Sequence, residues 1–256
     1  QEHYRNGTTF EELYALYQFD RDIRHIYLKY LLKVENTFKS VLAHEFSALY
    51  GHDNYLKLEN FDAVPDNISS IIKLFGDIQQ EMARQMSKHH QAVTHYLSEY
   101  GYIPLWVLVN VLTFGKVTMF YKLMKPQDKQ NIARKFHVDA KELHKYMSLC
   151  GLARNQCAHD ERFFDLKFRW HLHTRSIANF SCLGLERDKS GSYPSGTNDV
   201  YAIGIVFARL LGTADTAEFI ASMSAAFSKL EQQLHTISIK DVMRIMGYPA
   251  AWERLQ

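Results

Sequence analysis

The stretch that decides the fold is Asp20-Arg21-Asp22-Ile23-Arg24-His25-Ile26-Tyr27-Leu28-Lys29-Tyr30-Leu31-Leu32-Lys33-Val34-Glu35, with its continuation to Gly51. Its apolar positions Ile23, Ile26, Tyr27, Tyr30, Leu31, Val34, Phe38, Val41, Leu42, Phe46 and Leu49 recur every three or four residues. That is the spacing of one face of an α-helix. Gly51 suits the residue just past the helix end, where a left-handed backbone is common. A helix of about 30 residues is some 45 Å long, enough to act as the spine of a bundle.

Upstream, Thr9-Phe10-Glu11-Glu12 fits a capping box, in which hydroxyl and carboxylate satisfy each other's backbone amides. Phe10, Leu13, Tyr14 and Tyr17 follow at helical spacing, and Asp20 is read as the start of a second helix. Downstream, residues 52–66 form a connection. Asp66 then caps a helix carrying Ile68, Ile71, Ile72, Phe75, Ile78, Met82 and Met86, and a short helix from His90 stops at Gly101. Pro104 opens the next. Asp128 and Asp139 are read as caps of two more, and three further patterns lie at 199–211, 214–234 and 238–246, the last capped by Ser238.

The expected fold is therefore all-α, a multi-helix bundle with one long spine helix. Residues 1–183 form its main helical domain, 184–198 a Gly/Ser-containing loop, and 199–256 C-terminal helices packing on the same bundle. One short segment breaks the helical period. Leu166, Phe168, Trp170 and Leu172 alternate with Lys167, Arg169, His171 and His173, the pattern of an extended ribbon with an apolar and a basic edge.

Composition excludes several classes. Hydrophobic residues at 46% and charged ones at 23% describe an ordinary globular protein rather than a disordered chain. The formal charge of +2 neither demands nor forbids a nucleic-acid partner, since that inference needs a clustered basic face. Cys150, Cys157 and Cys182 form no paired framework, so a reducing, cytoplasmic setting is the simpler reading. The apolar run Ile103 to Phe114 is too short for a bilayer span of roughly 20 residues. The missing initiator methionine is read as Gln1 not being the native start. Thirteen histidines invite a metal site, but no HExxH or cysteine–histidine spacing supports one, and no glycine-rich phosphate loop or nucleophile elbow occurs, so no metal or cofactor is expected.

Function is sought in Ser148-Leu149-Cys150-Gly151-Leu152-Ala153-Arg154-Asn155-Gln156-Cys157-Ala158-His159-Asp160-Glu161-Arg162. On one helix, Arg154 falls among the apolar positions Leu143 and Met147, so its guanidinium must snorkel or pair. Asn155 lies four residues before His159 and can orient the imidazole. Arg154 and His159 stand some 140° apart around such a helix. A working site then needs a helix end near His159, the reach of the long arginine, or a second copy of the motif. An imidazole that titrates near neutrality and a fixed cationic fork suit phosphodiester cleavage in RNA, whose 2′-hydroxyl supplies the nucleophile. The structural alternative pairs Arg154 with Asp160 or Glu161 and leaves His159 as a helix-end histidine. Glu35, at the edge of the long apolar stripe, is either a buried carboxylate needing a partner or a half-exposed acid.

The run Arg154-Asn155-Gln156-Cys157-Ala158-His159 followed by Arg162-Phe163-Phe164 resembles the RNxCAH…R motif of Abi-like abortive-infection proteins (the AbiD/AbiF group) of the HEPN superfamily. The resemblance extends to Gly7–Tyr14, Tyr17–Arg24, Leu112–Lys116 and Met246–Trp252, nearly the whole chain. It implies a HEPN-type bundle, a homodimer with two motifs facing each other, and metal-independent RNA cleavage. Arg154 and His159 would be the catalytic pair, with Asn155 beside them. Glu35, Asp160 and Arg162 would be supporting residues, Asp160 standing where a second histidine is common and Lys39 where an arginine is usual. The family normally carries a further N-terminal segment ahead of Thr9.

The resulting expectation is an endoribonuclease of a bacterial phage-defence system that cuts by 2′-hydroxyl attack. Lys167, Arg169, Trp170, His171 and His173 would contact the RNA through charge and stacking. The alternative is a non-catalytic module that binds a regulatory RNA or a partner toxin or antitoxin. A purely structural dimerisation domain is the third possibility.

Overall fold

A computed structural model describes residues 6–173 and 183–255. Among the described residues there are ten α-helices and no strand, as the all-α reading expects. They are α1 (Phe10–Tyr50), α2 (Pro65–Ser87), α3 (Gln91–Tyr100), α4 (Leu105–Val111), α5 (Phe114–Leu123), α6 (Pro126–Lys135), α7 (Ala140–Ala158), α8 (Val200–Leu210), α9 (Thr213–Glu231) and α10 (Ile239–Met246). Residues 184–198 contain no helix, and Asp188 organises part of that loop by accepting from the Ser190 and Ser192 amides at 2.8 and 3.0 Å.

The long helix is longer than its stripe suggested. α1 runs 41 residues without a break, so no second helix starts at Asp20. There is no glycine or proline between Thr9 and Gly51 to interrupt it, and the Asp20 carboxylate serves another segment, as described below. The capping box is half formed. Thr9 Oγ1 accepts from the Glu12 amide at 3.2 Å, but the Glu12 carboxylate takes the His235 and Thr236 amides at 2.8 and 2.7 Å. Asp66 and Asp128 do not cap either. Pro65 and Pro126 occupy the first helical positions, where a missing N–H costs nothing, and leave the aspartates inside the first turn. Asp139 and Ser238 do cap, accepting from Glu142 N at 2.8 Å and Asp241 N at 3.2 Å.

The chain divides into two compact units, Gln1–Val34 with Leu149–Gln256, and Glu35–Ser148. In the first unit, Tyr27 is the hub. Its ring meets Phe163, Phe207 and Phe219 at 5.0, 5.7 and 5.2 Å, and its hydroxyl lies 2.6 Å from that of Tyr248. Phe227, Tyr248 and Trp252 close the core in edge-to-face contacts. Asp199, fully buried, caps α8 through the Ala202 amide at 3.1 Å and also takes the Gly196 amide at 2.8 Å. Gly247 packs so closely on this carboxylate, at φ 85°, that a side chain there would collide with it.

In the second unit, Phe46 meets Phe61 and Phe120 at 5.8 and 5.1 Å, and Phe38 meets Tyr121 at 5.5 Å. Buried Glu35 pairs with Lys39 one turn later at 2.7 Å, and Lys39 Nζ donates to the Leu112 carbonyl at 2.9 Å. The half-exposed alternative for Glu35 is therefore not adopted. The ion pair tethers the carbonyl at the end of α4, directly before the turn into α5.

Candidate functional site

Arg154, Asn155, His159, Asp160 and Arg162 all belong to the first unit, whereas Glu35 is the first residue of the second. Leu149, Cys150, Ala153 and Cys157 form the buried face of the last turns of α7. Arg154 is half-buried and Asn155 exposed. The helix ends at Ala158, so His159 stands just past it and is exposed, with its amide still bonded to the Asn155 carbonyl at 3.0 Å. Of the three arrangements that could let Arg154 and His159 work together, a helix end near His159 is therefore present.

The turn that follows is held by α1. Asp160 has φ 60°, a left-handed conformation that aspartate tolerates better than most side chains. Its carboxylate binds the guanidinium of buried Arg24. Arg24 Nε also lies 3.2 Å from Asp20, one helical turn earlier and itself buried. Asp20 in turn accepts the backbone N–H groups of Phe163 and Phe164 at 2.9 and 2.7 Å. Two side chains on a single turn of α1 thus fix residues 160, 163 and 164, and the Phe163 ring locks into the core against Tyr27.

Asp20 and Arg24 are the residues that reading the motif alone missed, although a signal was present. On a helical wheel Asp20 falls between Tyr27 and Leu31, inside the apolar stripe, and an arginine follows four residues later. A carboxylate at such a position is buried only with partners.

Arg162 is exposed, pairs with Asp165 at 2.7 Å and lies 6.0 Å from the Phe164 ring centre. Its carbonyl accepts from Gln156 at 3.2 Å, a tie back to the last turn of α7. Beneath the site, burial pushes the Cys157 thiol up to about 12, with Asp20 adding to the rise and the Arg24 charge opposing it. Burial likewise raises the Cys150 thiol. Both are packing residues rather than nucleophiles.

The alternating segment is extended against residues 197–199. The Phe168 amide donates to the Asn198 carbonyl at 2.6 Å and the Leu172 amide to the Thr197 carbonyl at 2.7 Å. Phe168 and Leu172 are buried as expected, but Trp170 is 58% exposed. A bend at residues 169–170 interrupts the alternation, and Arg169, Trp170, His171 and His173 are all exposed. Lys167 shares its ammonium with Asp199 at 3.4 Å and the Ile245 carbonyl at 3.3 Å, and His171 Nδ1 lies 3.2 Å from Thr197 Oγ1. In the second unit, a cleft of about 420 Å³ lined by Ser70, Lys73, Asp77, Thr113, Lys116 and Met119 includes none of these residues.

Among the described residues no helix is long and apolar enough to cross a membrane. No curated protein and no solved structure matches the chain. A family model described as Abi-like protein matches residues 1–165, which take in Asp20, Arg24 and the whole Arg154–Arg162 motif but not the 166–173 segment. Membership suggests abortive-infection phage defence. The chain belongs to the Abi-like family.

Proposed function

We propose that this protein is a HEPN-type endoribonuclease acting in abortive infection, with Arg154 and His159 as its reacting pair. The observation that carries the reading is the end of α7 at Ala158, which leaves the His159 imidazole exposed on a pinned turn five residues after half-buried Arg154. In the proposed reaction the RNA 2′-oxygen attacks the adjacent phosphorus while an imidazole takes the hydroxyl proton. The bond from phosphorus to the 5′-oxygen breaks, and that oxygen receives a proton. The products are a 2′,3′-cyclic phosphate and a 5′-hydroxyl. Arg154 balances the charge on the non-bridging phosphate oxygens.

One imidazole cannot hold and give a proton in the same step, so a homodimer is part of the proposal. His159 of one protomer acts as base and His159 of the partner subunit as acid. Asn155 orients the imidazole, and Asp160 and Arg162 are supporting residues. Asp160 does so by anchoring the turn to Arg24, and Arg162 through its ties to Asp165 and Gln156. RNA is held by the exposed Arg169, Trp170, His171 and His173, with Lys167 at the edge of that surface.

The test is cleavage of RNA in the presence of EDTA with analysis of the ends. The reading expects cyclic-phosphate termini that disappear in Arg154→Ala and in His159→Ala. Cleavage that survives both substitutions in folded protein would refute it. RNA binding without any cleavage by the unaltered protein would favour a non-catalytic module instead.

A further inference from the structure

The first turns of α1 present an aromatic row. Phe10, Tyr14 and Tyr17 are 75%, 53% and 54% exposed, values unusual for three large rings on one helix face. The rings lie nearly parallel to their neighbours. Phe10 and Tyr14 are 6.3 Å apart at 15°, and Tyr14 and Tyr17 are 6.2 Å apart at 26°. At roughly 100° per residue, Phe10, Tyr14, Tyr17 and Arg21 fall within about 60° of one another around the helix. Arg21 is exposed, and so is His25 beyond it.

We propose that Phe10, Tyr14, Tyr17 and Arg21 form a stacking track for single-stranded RNA that leads to the turn carrying His159. The proposal rests on the ribonuclease reading and names where that enzyme would hold its substrate. Three features point to nucleic acid. Consecutive exposed rings held nearly parallel form the kind of platform on which unstacked bases stack. Arg21 continues the row with a fixed positive charge suited to a phosphate. The row also leads toward the proposed reaction centre. Arg24 lies about 20° from Tyr17 around the helix and about 10 Å further along it, and there it binds Asp160, next to His159. Of the nearby acids, Asp22 is engaged by Lys229 at 2.7 Å, and Glu11 stands at the end of the row remote from His159.

The experiment measures binding of a labelled single-stranded RNA oligonucleotide by anisotropy in a His159→Ala background, so that no cleavage intrudes. All four track side chains are exposed or substituted conservatively, so the fold is retained and can be checked by circular dichroism. The Tyr14→Ala/Tyr17→Ala double variant should bind about tenfold more weakly or worse, and Tyr14→Phe/Tyr17→Phe should bind as the parent does. Arg21→Gln should lower the dependence of log affinity on log salt by about one.

Equal binding by the double alanine variant overturns the track and leaves the ribonuclease reading intact. A parent that binds no RNA overturns both. Light scattering supplies the remaining arm. If the double alanine variant turns a dimer into a monomer, the row is an interface between copies of this chain and the RNA track is wrong.

Discussion

The buried guanidinium of Arg24 holds the exposed carboxylate of Asp160, and this contact fixes the left-handed residue next to His159. Removing Arg24 leaves Asp20 buried without its cation. Arg24→Ala should therefore destabilise the protein by roughly 3 kcal/mol, toward the low end for a broken buried pair because Asp20 keeps two backbone donors. Urea unfolding measures the loss. Hydrogen exchange at the Phe163 and Phe164 amides should quicken in the same variant, and unchanged protection there would show that the turn is held by other means.

The Glu35–Lys39 pair offers a second test of buried charge. Lys39→Met takes a buried cation away from Glu35 and should cost about 3 kcal/mol. Adding Glu35→Gln should recover most of that loss, because the double variant no longer buries a net charge. A double variant as unstable as the single one would contradict the pairing.

Gly247 is required for two reasons, its φ of 85° and its approach to Asp199. Gly247→Ala should destabilise by at least about 2 kcal/mol, the backbone cost alone being roughly 1–2. Thermal denaturation of the two proteins side by side decides this. A melting temperature equal to the parent's would mean that α8 and the end of α10 can separate freely.

Glu12 makes the protein sensitive to acid. The His235 backbone N–H, followed by the Thr236 hydroxyl and further N–H groups, holds its carboxyl at about 2, well below the 4.5 of an unconstrained glutamate. Because the folded value is the lower one, the stabilisation is complete above pH 4.5 and fades as pH falls toward 2. Melting curves between those limits should fall more steeply for the parent than for Glu12→Gln. Parallel curves would show that the carboxylate contributes nothing.

Most of the architecture was legible in the chain. Apolar residues three and four apart dictated the helices, and Gly51, Gly101 and Gly247 stopped them where the backbone turns left-handed. The errors lay where a side chain had a distant partner. Asp20 reads locally as a cap, and only its bonds to Phe163 and Phe164, 143 and 144 residues away, explain why the helix runs straight past it. Glu12 likewise matches a capping box until the 235–236 segment takes its carboxylate.

What the sequence by itself determined was the helical class and the motif Arg154–His159. Those follow from local spacing and from the chemistry of single residues. What only the tertiary structure decided was the clamp of Asp20 and Arg24 on the turn beside His159, and the exposure of Trp170. Both depend on contacts between residues far apart in the chain, or on a backbone bend that no periodicity records.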